Sequence, residues 1–177
     1  MSDATSPIPP DTKDWTWVLT RECPDCLVNV GELEVADMPA IIRDTVPRWR
    51  TALAADDAPL RPRPTVWSPL EYAAHVRDVQ GVFLARLQLM LGEDGARFAD
   101  WDQDAAAAQG GYAGLDPAEV ADDLEAGAVE LAEAVEVLSS EQEGRRGVRS
   151  NGSEFTVRTL LQYFLHDSLH HRHDVNA

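Results

Sequence analysis

A chain of 177 residues with 44% hydrophobic content is long enough for one domain with a sizeable core. Its formal net charge of −16 creates a negative field that repels phosphate backbones and anionic lipid headgroups, so nucleic-acid and membrane partners are not expected. No apolar run approaches bilayer length, and the opening MSDATSPIPPDTKD has neither the basic nor the apolar region of a signal peptide, so a cytoplasmic protein is expected.

Residues 1–36 contain several Pro and Asp, carry two exposed-looking tryptophans, Trp15 and Trp17, and show no helical period. An extended N-terminal arm packed on the following domain is predicted there. Inside it lies Cys23-Pro24-Asp25-Cys26, and the chain has no other cysteine. A structural zinc site needs four ligands, so this pair closes one only if distant histidines or a second chain contribute. A redox dithiol usually opens a helix after a strand, a context that Val18-Leu19 and Leu27-Val28 do not provide. The expected reading is a pair of incidental thiols.

From Asp37 the pattern turns helical. Met38, Ile41, Ile42, Thr45, Trp49 and Leu53 recur at three- and four-residue steps and predict a first helix over 37–55, with Pro47 expected to kink it or begin a new turn. Ser68-Pro69-Leu70-Glu71 has the form of a capping box and opens a second helix. Its stripe runs through Tyr72, Val76, Val79, Phe83, Leu87 and Met90, and Gly92 or Gly95 ends it. Asp116-Pro117-Ala118-Glu119 opens a third through Val120, Leu124, Ala128, Leu131, Val135 and Leu138, with Gly144 beyond its end. Asn151-Gly152 marks a tight turn, and a fourth helix follows from about Thr156 with Val157, Leu160, Leu161, Phe164, Leu165 and Leu169 on its apolar side.

Four long amphipathic segments with little strand signal between them predict an all-α fold, an up-and-down four-helix bundle over 37–177. Segments 56–67, 94–115 and 141–155 are longer than bundle loops require, and long loops over a packed scaffold tend to line or cover a site. The run Ala105–Ala108 is expected to add at most a short helical turn.

The chemistry concentrates in the histidines. Four of the five, His166, His170, His171 and His173, crowd the end of the chain, and the fifth, His75, lies on the second helix. A helix turns about 100° per residue, so His166 and His170 share a face and can share one ion. His75 supplies a third neutral imidazole, and three such ligands with an open position make a catalytic divalent-metal site. His171 lies round the helix from His170 and is expected to be exposed. His173, seven residues after His166, returns to the same face, where it would support or replace a ligand. Asp174 either orients the His170 imidazole or caps the helix end.

Trp67-Ser-Pro-Leu-Glu-Tyr-Ala-Ala-His75-Val-Arg-Asp78, followed much later by Phe155-Thr-Val-Arg-Thr-Leu-Leu-Gln-Tyr-Phe-Leu-His166-Asp-Ser-Leu-His170-His-Arg-His-Asp-Val175, resembles the DinB-like superfamily of metalloenzymes over about 37–177. That superfamily includes the mycothiol- and bacillithiol-dependent transferases and maleylpyruvate isomerase. The resemblance implies a four-helix bundle whose metal is held by one histidine of the second helix and an HxxxH pair of the fourth, here His75, His166 and His170. It further implies zinc or nickel as the metal, a low-molecular-weight thiol as cosubstrate, a small-molecule substrate and a monomer or homodimer. The expected activity is metal-dependent thiol S-transfer to a small electrophile, with metal-dependent hydrolysis or a non-catalytic bundle holding a structural metal as alternatives. The chain ends two residues after Val175, leaving no room for the extra C-terminal domain of the maleylpyruvate isomerases, which counts against isomerase activity.

Overall fold

The computed structural model describes residues 8–177, so the first seven positions of the predicted arm lie outside the described residues. Six helices and three short strands follow one another: α1 Met38–Leu53, α2 Pro69–Gly92, β1 Ala96–Phe98, α3 Gln103–Gly110, α4 Pro117–Glu136, α5 Ser140–Glu143, β2 Arg146–Arg149, β3 Glu154–Thr156 and α6 Val157–Asp174. The long helices α1, α2, α4 and α6 form the bundle. Their predicted stripes supply its core, where Trp49, Leu87, Leu131 and Phe164 are buried. No described helix is long and apolar enough to cross a membrane.

The helix starts follow from their caps. At α2 the Glu71 N–H donates to Ser68 Oγ at 3.2 Å while Glu71 Oε2 accepts the Ser68 N–H at 2.9 Å. The Glu71 carboxylate is buried and also accepts Arg61 Nε at 2.9 Å, which ties the preceding loop to the first turn. At α4 Asp116 accepts the Ala118 and Glu119 N–H groups at 2.8 and 3.2 Å. The first helix runs unbroken through Pro47, which sits on its exposed side.

Two features correct the expected architecture. Not all of the long helices pack on the next one in the chain: α1 packs chiefly on α4 and α6, α2 likewise on α4 and α6, and α1 meets α2 only lightly. Consecutive α1 and α2 therefore stand across the bundle from each other, and the long connections make that crossing feasible. The fold is also not purely helical. β2 and β3 form an antiparallel hairpin around Asn151-Gly152, and β1 pairs parallel to β2 with Ala96 opposite Gly147. Strands of three and four residues are too short to show alternation in a sequence.

The hairpin runs directly into α6, where the Thr156 and Thr159 side chains cap each other's N–H groups. On the other flank of that helix the arm descends in three 3₁₀ turns, Thr16–Leu19, Val30–Glu32 and Val35–Asp37. Buried Gln162 of α6 donates to the Leu33 and Gly31 carbonyls at 3.0 and 3.2 Å and holds it there. Trp15 and Trp17, expected at the surface, are half-buried in this junction.

Candidate metal centres on two faces of one helix

Over about one and a half turns of α6 the ligand residues between 166 and 171 divide between two neighbours. A step of about 100° per residue sends His166 and His170 toward the arm and Asp167 and His171 toward α2. Two groups of ligand atoms result, each gathered within 4.8 Å: Cys23, Cys26, His166 and His170 on one side, and His75, Asp167 and His171 on the other.

The α2-facing group is built around His75, one turn and a half into α2 and fully buried. Its Nε2 stands 3.4 Å from Asp167 Oδ1, yet among the described residues neither atom, nor His75 Nδ1, has a hydrogen-bond partner. Leaving buried polar atoms unsatisfied costs on the order of 1–3 kcal/mol each, so the convergence calls for a third party between them. A divalent cation satisfies a carboxylate and two imidazoles at once, and this donor set fits one.

His171 completes the group. Its Nδ1 lies 2.9 Å from Asp174 Oδ2, and its Nε2 lies 3.9 Å from Asp167 Oδ2. A carboxylate bonded to one ring nitrogen fixes the tautomer and turns the other nitrogen toward the ligand position. Trp67, Tyr72 and Trp101 wall the group, with Trp101 stacked 5.6 Å from the His75 ring and Tyr72 lying 5.0 Å from that of His171. Burial alone would raise the Asp167 carboxyl, but the His75 and His171 imidazoles outweigh it and hold it down at about 2. Burial would lower His171, and here Asp167 and Asp174 outweigh it and raise it.

On the arm-facing side Cys23 Sγ lies 3.6 Å from His170 Nδ1 and Cys26 Sγ 3.8 Å from His166 Nε2. Trp15 covers both imidazoles, its ring 5.7 Å from that of His166 and 5.4 Å from that of His170. Burial, with the neighbouring His170 second, pushes His166 down to about 4, and burial also lowers His170. Both imidazoles are therefore neutral donors at neutral pH.

A cleft of about 100 Å³ lies between the two groups, lined by Asp11, Trp15, Gln103, Tyr163 and the four residues His166, Asp167, His170 and His171. Through Asp11, Trp15, Gln103 and Tyr163 it adjoins a wider groove of about 680 Å³ that includes Lys13 and Arg149. Loop and arm residues make much of both, as the long connections implied.

The structure thus brings His166 and His170 together, as their spacing required, but with the arm's cysteines, while His75 meets Asp167 and His171 one residue further along. His171, expected at the surface, is half-buried, and Asp174 bonds it rather than His170, whose Nε2 is 3.8 Å away. His173 is exposed and belongs to neither group. Asp167 escaped notice because a lone Asp on a helix reads as a solvated residue. The signal lay in Asp167-x-x-x-His171, which has the same spacing as the histidine pair.

A helical bundle with one metal-ligand group between its second and last long helices and another between the last helix and the N-terminal arm defines the class of protein. Within that class the chain belongs to the DinB superfamily, whose family model matches residues 41–175. The solved structure of YfiT from Bacillus subtilis, described as a probable metal-dependent hydrolase with an unusual four-helix bundle topology, is similar with a TM-score of 0.70 and 16% identity, over 80% of this chain and 85% of that one. At that identity the likeness speaks for the fold. No curated protein matches the sequence at a significant level.

Proposed function

We propose that the protein is a divalent-metal-dependent hydrolase acting on a small substrate, with His75, Asp167 and His171 as the ligands. The observation that carries the reading is the buried convergence of orphaned His75 Nε2 and Asp167 Oδ1 with His171, two members of which also line the cleft. When bound, a divalent ion such as zinc supplies a Lewis acid that polarises a carbonyl or phosphoryl oxygen and makes water acidic enough to attack near neutral pH.

The chain's own residues do the rest. Asp174 accepts from His171 Nδ1 and keeps its Nε2 free to ligate. Trp67, Tyr72 and Trp101 keep water from the buried side, so attack comes from the cleft. Burial raises Tyr163 and keeps its phenol protonated, which makes it, with Gln103, a hydrogen-bond donor at the cleft wall for a polar substrate atom.

Asp167 lowers the net charge of the bound unit to +1, which weakens the acidification of a bound thiol and of bound water alike, so the donor type rather than the charge separates the two chemistries. Two histidines and a carboxylate are the ligand type of zinc peptidases. YfiT's description as a probable metal-dependent hydrolase points the same way. The test is turnover of activated esters and amides by the zinc-loaded protein, with and without a low-molecular-weight thiol. Hydrolysis without thiol, lost in His75→Ala and Asp167→Ala, is expected. Turnover only with thiol, the acyl group passing to sulfur as a thioester while the alcohol or amine leaves, would replace this reading with the transferase.

A further inference from the structure

We propose that Cys23, Cys26, His166 and His170 form a second, closed zinc site that fastens the N-terminal arm to α6. The inference does not rest on the hydrolase reading, because it uses none of that centre's ligands.

The spacing of the ligand atoms suits a tetrahedral zinc shell. With zinc bonds of about 2.3 Å to sulfur and about 2.05 Å to nitrogen, a tetrahedron places sulfur and nitrogen about 3.6 Å apart. The two sulfur–nitrogen pairs stand at 3.6 and 3.8 Å, and all four ligand atoms lie within 4.8 Å of one another. The cysteine turn has the matching local form. The Leu27 N–H donates to the Cys23 carbonyl at 2.9 Å, the Cys23 N–H to the Val28 carbonyl at 3.0 Å, and the Val28 N–H lies against the Cys26 sulfur. Leu27 closes the turn with φ of +59°, a left-handed conformation that costs a non-glycine residue about 1–2 kcal/mol and is retained only where surroundings require it.

Charge and donor type select the metal. Two thiolates cancel a divalent charge, so a neutral unit can be buried where Cys23 and His166 are buried. Soft sulfur with imidazole favours zinc over the oxygen-seeking cations. Binding releases the two thiol protons to solvent and leaves no coordination position free, so the site is structural. Its consequence reaches the cleft, because the arm it holds contributes Asp11 and Trp15 to the cleft wall.

The test is cobalt titration of the full-length protein after chelation, under reducing conditions, together with alkylation of the zinc-loaded protein. We expect two equivalents of cobalt, a thiolate-to-cobalt charge-transfer band from one of them, and both thiols protected until the zinc is chelated. Cys23→Ser/Cys26→Ser should lose the band and one equivalent, while His75→Ala keeps the band and loses the other. Cobalt-loaded wild type without the band, or a Cys23–Cys26 disulfide in the native protein, would overturn the proposal, and both readings stand whether or not the double variant folds. Failure of hydrolysis alone would leave the band untouched.

Discussion

The two faces of α6 use neighbouring residues for opposite ends. Toward the arm, His166 and His170 meet two sulfurs in a group with four ligands, while toward α2, Asp167 and His171 meet a single imidazole in a group of three beside a cleft. A four-ligand shell of soft donors favours a permanent ion, and a three-ligand shell with a hard carboxylate leaves room for substrate. The difference teaches that ligand identity alone does not say where a centre lies. A single helical step of about 100° separates the set proposed as structural from the set proposed as reactive.

The comparison breaks most visibly under removal of ligands. His75→Ala, Asp167→Ala and His171→Ala should each abolish hydrolysis and release one metal equivalent, with the melting temperature shifting much less than for loss of the arm site. Parallel assays and metal analysis check this, and full occupancy in any of the three would remove that residue from the centre.

Cys23→Ser/Cys26→Ser should do the reverse. An ion bound at about 1,000 times its dissociation constant stabilises by about 4 kcal/mol, so its loss should lower the melting temperature by about 10 °C. Zinc chelation of the wild type should reproduce that shift in calorimetry, and an unchanged melting temperature would strip the arm site of its structural role.

Arg61→Ala sharpens the α2 side, since the Arg61–Glu71 pair anchors the helix turn preceding His75. Stranding a buried carboxylate should cost about 3 kcal/mol in denaturant unfolding. Burial alone would raise the Glu71 carboxyl, but Arg61 and the Ser68 N–H outweigh it and hold it below its ordinary 4.5. A depressed folded value means the contribution is present above pH 4.5 and lost as pH falls through the lower folded value. The variant's deficit should therefore shrink in acid, and a deficit constant from pH 7 to pH 3 would exclude the ion pair as its cause.

Asp174→Asn should weaken metal binding at the α2-facing group by about 10–100-fold and at the arm site much less, because Asp174 bonds the His171 ring at 2.9 Å but stands 3.8 Å from His170 Nε2. Competition with a chromophoric chelator reads both affinities. The smallest effect is expected for Leu27→Gly, where relief of the positive φ and the greater freedom of the unfolded chain nearly cancel, giving a stability change within about 1 kcal/mol.

Much of the scaffold could be read in advance because its signals are local. Ser68 and Glu71, Asp116 and Thr156 lie at the helix starts they mark, and the apolar stripes of α1, α2, α4 and α6 are the core. What escaped depends on how distant segments meet. Strands of three or four residues leave no period to detect, and the crossing of α1 and α2 is a property of the long loops rather than of either helix. The candidate site shows the same division. The spacing of His166 and His170 places them on one face of α6, but which face looks at His75 depends on how α6 packs against α2. The cysteine pair was visible and looked incomplete, because its histidine partners lie 140 and 147 residues away.

Binding of two ions on neighbouring faces of α6 can be seen by anomalous diffraction at the zinc edge from crystals of the zinc-loaded protein. Two peaks are expected, one enclosed by Cys23, Cys26, His166 and His170 and one bounded by His75, Asp167 and His171. A single peak shared by His75, His166 and His170 would contradict that arrangement.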